Sequence, residues 1–124
     1  MLALLNGAFI IFHTVLLVFN LTGWAWRRTR RLNSITLGIT AFSWLGLGAW
    51  FGWGYCICTD WHWQVRRAMG FADPEGSYTQ FLIRHLTGLE IGSVTMDWIT
   101  GLAFGSAVLL NVALTVRDLR NDRK

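Results

Sequence analysis

An all-α membrane fold, with three transmembrane helices and two short amphipathic helices on the outer, periplasmic face, is what three observations predict. The 124-residue chain is 53% apolar, holds eight Trp and eight Phe, and has a mean hydropathy of +0.40. A soluble domain of this size has too much surface for its volume to bury that apolar area, so the excess faces lipid. Three segments, about 3 to 26, 34 to 57 and 93 to 116, contain neither Lys nor Arg. Each meets the roughly 20 residues needed to cross a ~30 Å hydrocarbon core. Basic residues border these segments in two clusters, Arg27, Arg28, Arg30 and Arg31, then Arg117, Arg120, Arg123 and Lys124. Residues 1 to 124 thus read as a single integral membrane domain.

The pI near 9.8 therefore speaks for membrane topology and against nucleic acid, whose binding grooves interleave basic residues with polar faces of folded elements. Placing both clusters in the cytoplasm leaves Arg66, Arg67 and Arg84 outside, as the positive-inside rule favours for an odd number of spans. The expected location is a bacterial inner membrane, N-terminus outside and C-terminus cytoplasmic. Trp24 and Trp26 fall at the inner border, while Trp50, Trp53, Trp61, Trp63 and Trp98 fall at or beyond the outer one. Amphipathic rings form such an aromatic belt.

The first segment, "MLALLNGAFIIFHTVLLVFNLTGWAW", lacks the basic n-region and small-x-small cleavage site of a secretory signal, so it reads as a retained helix. Counting inward from Arg27 at about 1.5 Å per residue puts His13 near mid-membrane. It is either a functional ionisable group or a neutral imidazole bonded to a neighbouring hydroxyl or carbonyl. His62 and His85 lie outside the membrane by this topology, which argues against a haem held between one of them and His13. Asn20 falls at the depth of Asn111 in the third span, and a hydrogen bond between them is expected.

The second span carries Gly48-x-x-x-Gly52, and the third carries Gly101-x-x-x-Gly105. Small residues let helix backbones approach closely in lipid. Either these two faces meet each other, or one of them is a dimer or partner interface.

Between these spans, residues 58 to 92 form an external interfacial segment. Thr59 is placed to cap a helix over 60 to 69 with Trp61, Val65, Ala68 and Met69 as its apolar stripe, stopped by Gly70. A turn at "ADPEG" follows. Ser77 and Gln80 make a capping box for a second helix, greasy along Phe81, Leu82, Leu86 and Leu89 and ending at Gly88. Arg84, His85 and Glu90 exclude a fourth span. Asp97, near the outer end of the last span, suits the positive helix terminus and is expected to pair with Arg66, Arg67 or Arg84.

"GYCICTDWHWQVRRAMG" holds Cys56, Cys58, Asp60 and His62 at alternate positions. They would line one face only in an extended chain. Zinc sites favour C-x-x-C or longer loops with a second ligand pair, and a C-x-C disulfide closes a small strained ring. The expectation is a structural helix start without a metal, with these four as the only metal candidates. No cofactor is predicted.

The runs "CICTDWHWQVRRAMG" and "SYTQFLIRHLTG" resemble an uncharacterised family of small bacterial integral membrane proteins, a domain of unknown function. Its members similarly show Cys-Pro-Leu-Thr, an aromatic, Glu or His, then Arg. The matching positions are Cys56, Thr59, Trp61, His62 and Arg66, with Ser77, Tyr78 and Phe81. Ile57 stands at the family's Pro and Cys58 at its Leu, so the resemblance implies that Cys58 is a substitution outside any ligand set. His62 stands where members carry the Glu of a T-x-x-E capping box, which implies a capping role. The family brings architecture and no assigned activity.

The function expected is a small non-catalytic subunit in or against a larger respiratory, photosynthetic or transport complex, or a homo-oligomer, in contact with membrane lipids. The alternatives are a metal- or thiol-dependent protein acting at the outer surface, or a lipid or quinone binder using Arg66, Arg67 and Arg84. No motif for nucleotide binding, acyl transfer or phosphoryl transfer is present.

Overall fold

A computed structural model describes residues 1–72 and 76–124. The centre of the turn expected at "ADPEG", residues 73–75, lies outside the described residues. The first apolar run forms α1 (Leu2–Thr22), which tightens into a 3₁₀ turn at Gly23–Ala25. The chain reverses into α2 (Arg30–Ala41), widens to a π-helical turn at Phe42–Leu47 and continues as α3 (Gly48–Phe51). Two short helices, α4 (Ile57–Ala68) and α5 (Tyr78–Thr87), precede α6 (Ser93–Asp122). Three rods, Leu2–Ala25, Arg30–Phe51 and Ser93–Asp122, are long and apolar enough to cross a membrane. The described residues contain no strand.

α1 packs against α2, α4 and α6, while α6 also meets α2 and α5. Among the described residues the buried apolar side chains are only Leu37, Tyr78, Phe81, Met96 and Ala107. Buried polar groups outnumber them and include His13, Asn20, Arg30, Asn33, Thr59, His62, Arg66 and Asn111. An apolar exterior around a polar seam is the pattern that lipid favours, because polar contacts rather than hydrophobic burial hold helices together there.

The second rod ends at Phe51, well short of the expected residue 57. Gly52 and Gly54 adopt φ of 111° and 82°, conformations that side-chain-bearing residues rarely reach, so the helix breaks there. Gly52 N–H closes the turn on the Gly48 carbonyl at 2.8 Å. A Cβ at Gly48 would lie 3.4 Å from the Trp53 Cα. This glycine pair therefore serves the turn and does not meet the pair on α6. A Cβ added to Gly101 or Gly105 would find nothing within 4 Å among the described residues. Near this level α6 meets the π-helical turn through Trp44 and Phe104, ring centroids 4.9 Å apart.

The expected Asn20–Asn111 bond is also replaced. Asn33 of α2 stands between the helices, 0% exposed. Its Nδ2 donates to the Phe19 carbonyl at 2.7 Å, and its Oδ1 accepts from Asn111 Nδ2 at 2.8 Å. Ser34 donates to Asn111 Oδ1 at 2.7 Å, while Asn20 donates to Thr40 Oγ1 at 2.9 Å. One helical turn further on, Arg30 pairs with Asp118 and donates to the Trp24 carbonyl. Arg27 reaches Asp122 at 2.6 Å. The two basic clusters thus share one end of the bundle.

Candidate functional site

The opposite end holds most of the residues singled out from sequence. Cys56, in extended backbone, is the N-cap of α4, and the helix begins at Ile57. Thr59, expected as the cap, is instead buried in the first turn, so the helix starts earlier than its local chemistry suggested. His62 consequently lies inside the helix and is not its capping residue.

Winding as a helix brings Thr59, His62 and Arg66 to one face. His62 is 0% exposed, and its Nε2 lies 2.8 Å from Asn6 Oδ1 on α1. Phe9 stacks on the imidazole at 5.6 Å, and Phe81 meets it edge-on at 5.8 Å. Arg66 Nη1 donates to the same Asn6 oxygen at 3.4 Å. Its guanidinium lies 4.5 Å from the Phe71 ring centroid and 4.8 Å from that of Phe81, a cation–π arrangement that offsets part of the cost of burying the charge. Trp61 points away from this cluster and is 52% exposed.

α5 opens as its capping residues predict. Ser77 accepts from Gln80 N–H at 3.3 Å. The reciprocal bond differs by one residue, since Gln80 Oε1 accepts from Gly76 N–H. Gly88, in the left-handed region, closes the helix. This start aims Tyr78 into α1, where its hydroxyl lies 2.8 Å from Thr14 Oγ1 and donates to the Ile10 carbonyl at 3.0 Å. The Tyr78 ring stacks face to face on His13 at 4.0 Å. On the other edge of His13, Nε2 lies 4.0 Å from Cys56 Sγ.

The residues that sequence reasoning missed are Asn6, Thr14, Tyr78 as a buried anchor, and Asn33. A signal was available, because Asn6, His13 and Thr14 recur at i, i+7 and i+8 and so form a polar stripe down one face of α1. The surrounding apolar residues dominate the hydropathy of that window and mask it.

Other expected residues are not brought together. Asp97 is exposed and, among the described residues, has no ion pair with Arg66, Arg67 or Arg84. Arg84 instead lies 3.9 Å from Glu90. Asp60 accepts from Gln64 at 3.0 Å on its own helix, while His62 faces α1. The four alternating ligand types therefore do not converge on one point, and among the described residues no three His, Cys, Asp or Glu side chains gather to hold a metal.

The local electrostatics favour one sulfur. A hydrogen bond from the Cys58 thiol holds Cys56 well below the usual thiol range. Burial opposes the shift, and His13 with the Thr59 backbone and hydroxyl supports it. The same thiol–thiol bond, together with burial, pushes Cys58 up.

No curated protein and no solved structure matches the chain. The family model described as "Protein of Unknown function (DUF2784)" matches residues 3–116, a stretch that includes α1 to α5 and most of α6, and the chain belongs to that family.

Proposed function

We propose that this protein is a small non-catalytic subunit or accessory protein of the bacterial inner membrane, which packs through α6 against a larger membrane complex or a second copy of itself. The observation that carries the reading is the open Gly101–Gly105 face. A Cβ at either position meets nothing within 4 Å among the described residues, although small-x-x-x-small faces serve close helix packing in lipid. The partner fitting it is a transmembrane helix of a respiratory, photosynthetic or transport assembly, or another α6.

The orientation, N-terminus outside and C-terminus cytoplasmic, draws support from the two basic clusters sharing one end, through Arg27 with Asp122 and Arg30 with Asp118. On that orientation α4 and α5 are amphipathic helices at the outer interface, with Trp61 and Arg67 exposed toward lipid and water. The buried His62, Arg66 and Tyr78 then brace this corner. A lipid or quinone headgroup site at Arg66, Arg67 and Arg84 is less well supported, because Arg66 turns inward onto Phe71 and Phe81.

Purification from native membranes in mild detergent tests the proposal. The protein is expected to co-migrate with a partner or as a defined oligomer. Recovery as an isolated monomer in both detergent and nanodiscs would rule the assembly role out.

A further inference from the structure

Two cysteines and a buried histidine meet where the turn after the second rod enters α4. Cys56 caps the helix and Cys58 sits in its first turn, one intervening residue on. His13 reaches Cys56 from α1, its Nε2 4.0 Å from the Cys56 Sγ. The imidazole is 7% exposed, held flat against Tyr78 at 4.0 Å, and its Nδ1 has no hydrogen-bond partner among the described residues. Both cysteines are free thiols and partly exposed, so a reagent can reach them.

We infer that Cys56, Cys58 and His13 form a dithiol site that exchanges with a disulfide substrate, Cys56 being the attacking sulfur. This inference goes beyond the assembly role and does not depend on it. The thiolate is the nucleophile in such exchange. The N-terminus of α4, the Thr59 N–H and the imidazole all favour negative charge on Cys56, whereas the Cys58 thiol keeps its proton.

In the first step the Cys56 proton passes to His13 Nε2, and Cys56 Sγ attacks one sulfur of the substrate R–S–S–R′. A Cys56–S–S–R bond forms, the substrate S–S bond breaks, and R′–S⁻ leaves to take the proton from the imidazolium. In the second step Cys58 Sγ attacks Cys56 Sγ, expels R–S⁻ and gives up its proton to it. The substrate gains two electrons and two protons and becomes two thiols, while the protein dithiol is oxidised to a Cys56–Cys58 disulfide. That disulfide spans a single intervening residue, so its ring is strained and readily returned to the dithiol by an excess of small-molecule thiol.

Dithiodipyridine and the purified full-length protein in detergent test the inference. The wild type is expected to release two thiopyridones per chain and to end lighter by two hydrogens, with no adduct. Cys58→Ser releases one and keeps a thiopyridyl group on Cys56. Cys56→Ser reacts at Cys58 about ten-fold more slowly or worse. His13→Phe, which preserves a ring against Tyr78, slows the Cys56 reaction by about ten-fold or more. Unchanged helical circular dichroism in each variant separates these effects from misfolding. A wild type that retains two adducts, or a Cys56→Ser variant as fast as Cys58→Ser, overturns the inference. An unchanged rate in His13→Phe removes the imidazole from the site.

Discussion

His62 and Asn111 show how single polar side chains hold a lipid-facing bundle together. His62 fills a space among Phe9, Trp63 and Phe81 and bonds Asn6. His62→Ala both empties that space and leaves the Asn6 oxygen only the longer bond from Arg66. The expected loss is about 2 to 4 kcal/mol of stability, read as a lowered midpoint of thermal unfolding in detergent. Asn111→Leu removes bonds to Asn33, Ser34 and the Arg30 carbonyl. Intramembrane bonds average ~0.6 kcal/mol each, so a loss of about 1 to 2 kcal/mol is expected in the same assay. An Asn111→Leu protein as stable as the wild type would show that the seam contributes nothing. The sequence placed Asn20 and Asn111 at one depth, because depth follows from counting along a helix. It could not show that Asn33 comes between them, because helix rotation is set by packing.

At the scale of elements, the glycines divide into turn formers and open faces. Gly52, with φ of 111°, forces the second rod to end. Gly52→Ala is expected to cost about 1 to 3 kcal/mol and to weaken the docking of α4, seen as faster backbone hydrogen exchange there. Gly101→Ala meets no neighbour among the described residues and is expected to leave the unfolding midpoint within about 0.5 kcal/mol of the wild type. Equal effects from the two substitutions would contradict this division. α5 was legible because its start and stop are local chemistry, Ser77 with Gln80 and then Gly88. α4 begins at Ile57 rather than 60, with Cys56 in extended backbone as its N-cap and Thr59 buried within its first turn. The π-helical turn at Phe42–Leu47 left no mark in the hydropathy pattern. In the fold it coincides with Ser43 donating to the Tyr55 carbonyl at 3.1 Å.

For the whole molecule, the decisive contrast lies between internal order and external association. Gly101→Leu combined with Gly105→Leu is expected to leave the monomer folded, with unchanged helicity, yet to lower the yield of the co-purifying complex or oligomer by about ten-fold or more. Association in lipid depends on backbone approach, which the two side chains block. An unchanged complex would move the interface off this face of α6. Three long helices and the basic clusters at their ends followed from sequence alone, because bilayer thickness and charge cost act on any apolar run regardless of its neighbours. The meeting of His13 with Cys56 and Tyr78, and the burial of His62 and Arg66 against Asn6, were decided only by the tertiary fold. The hydropathy of α1 is blind to which face a polar residue occupies. Only the docking of α4 and α5 along Asn6, His13 and Thr14 turns isolated polar residues into a site.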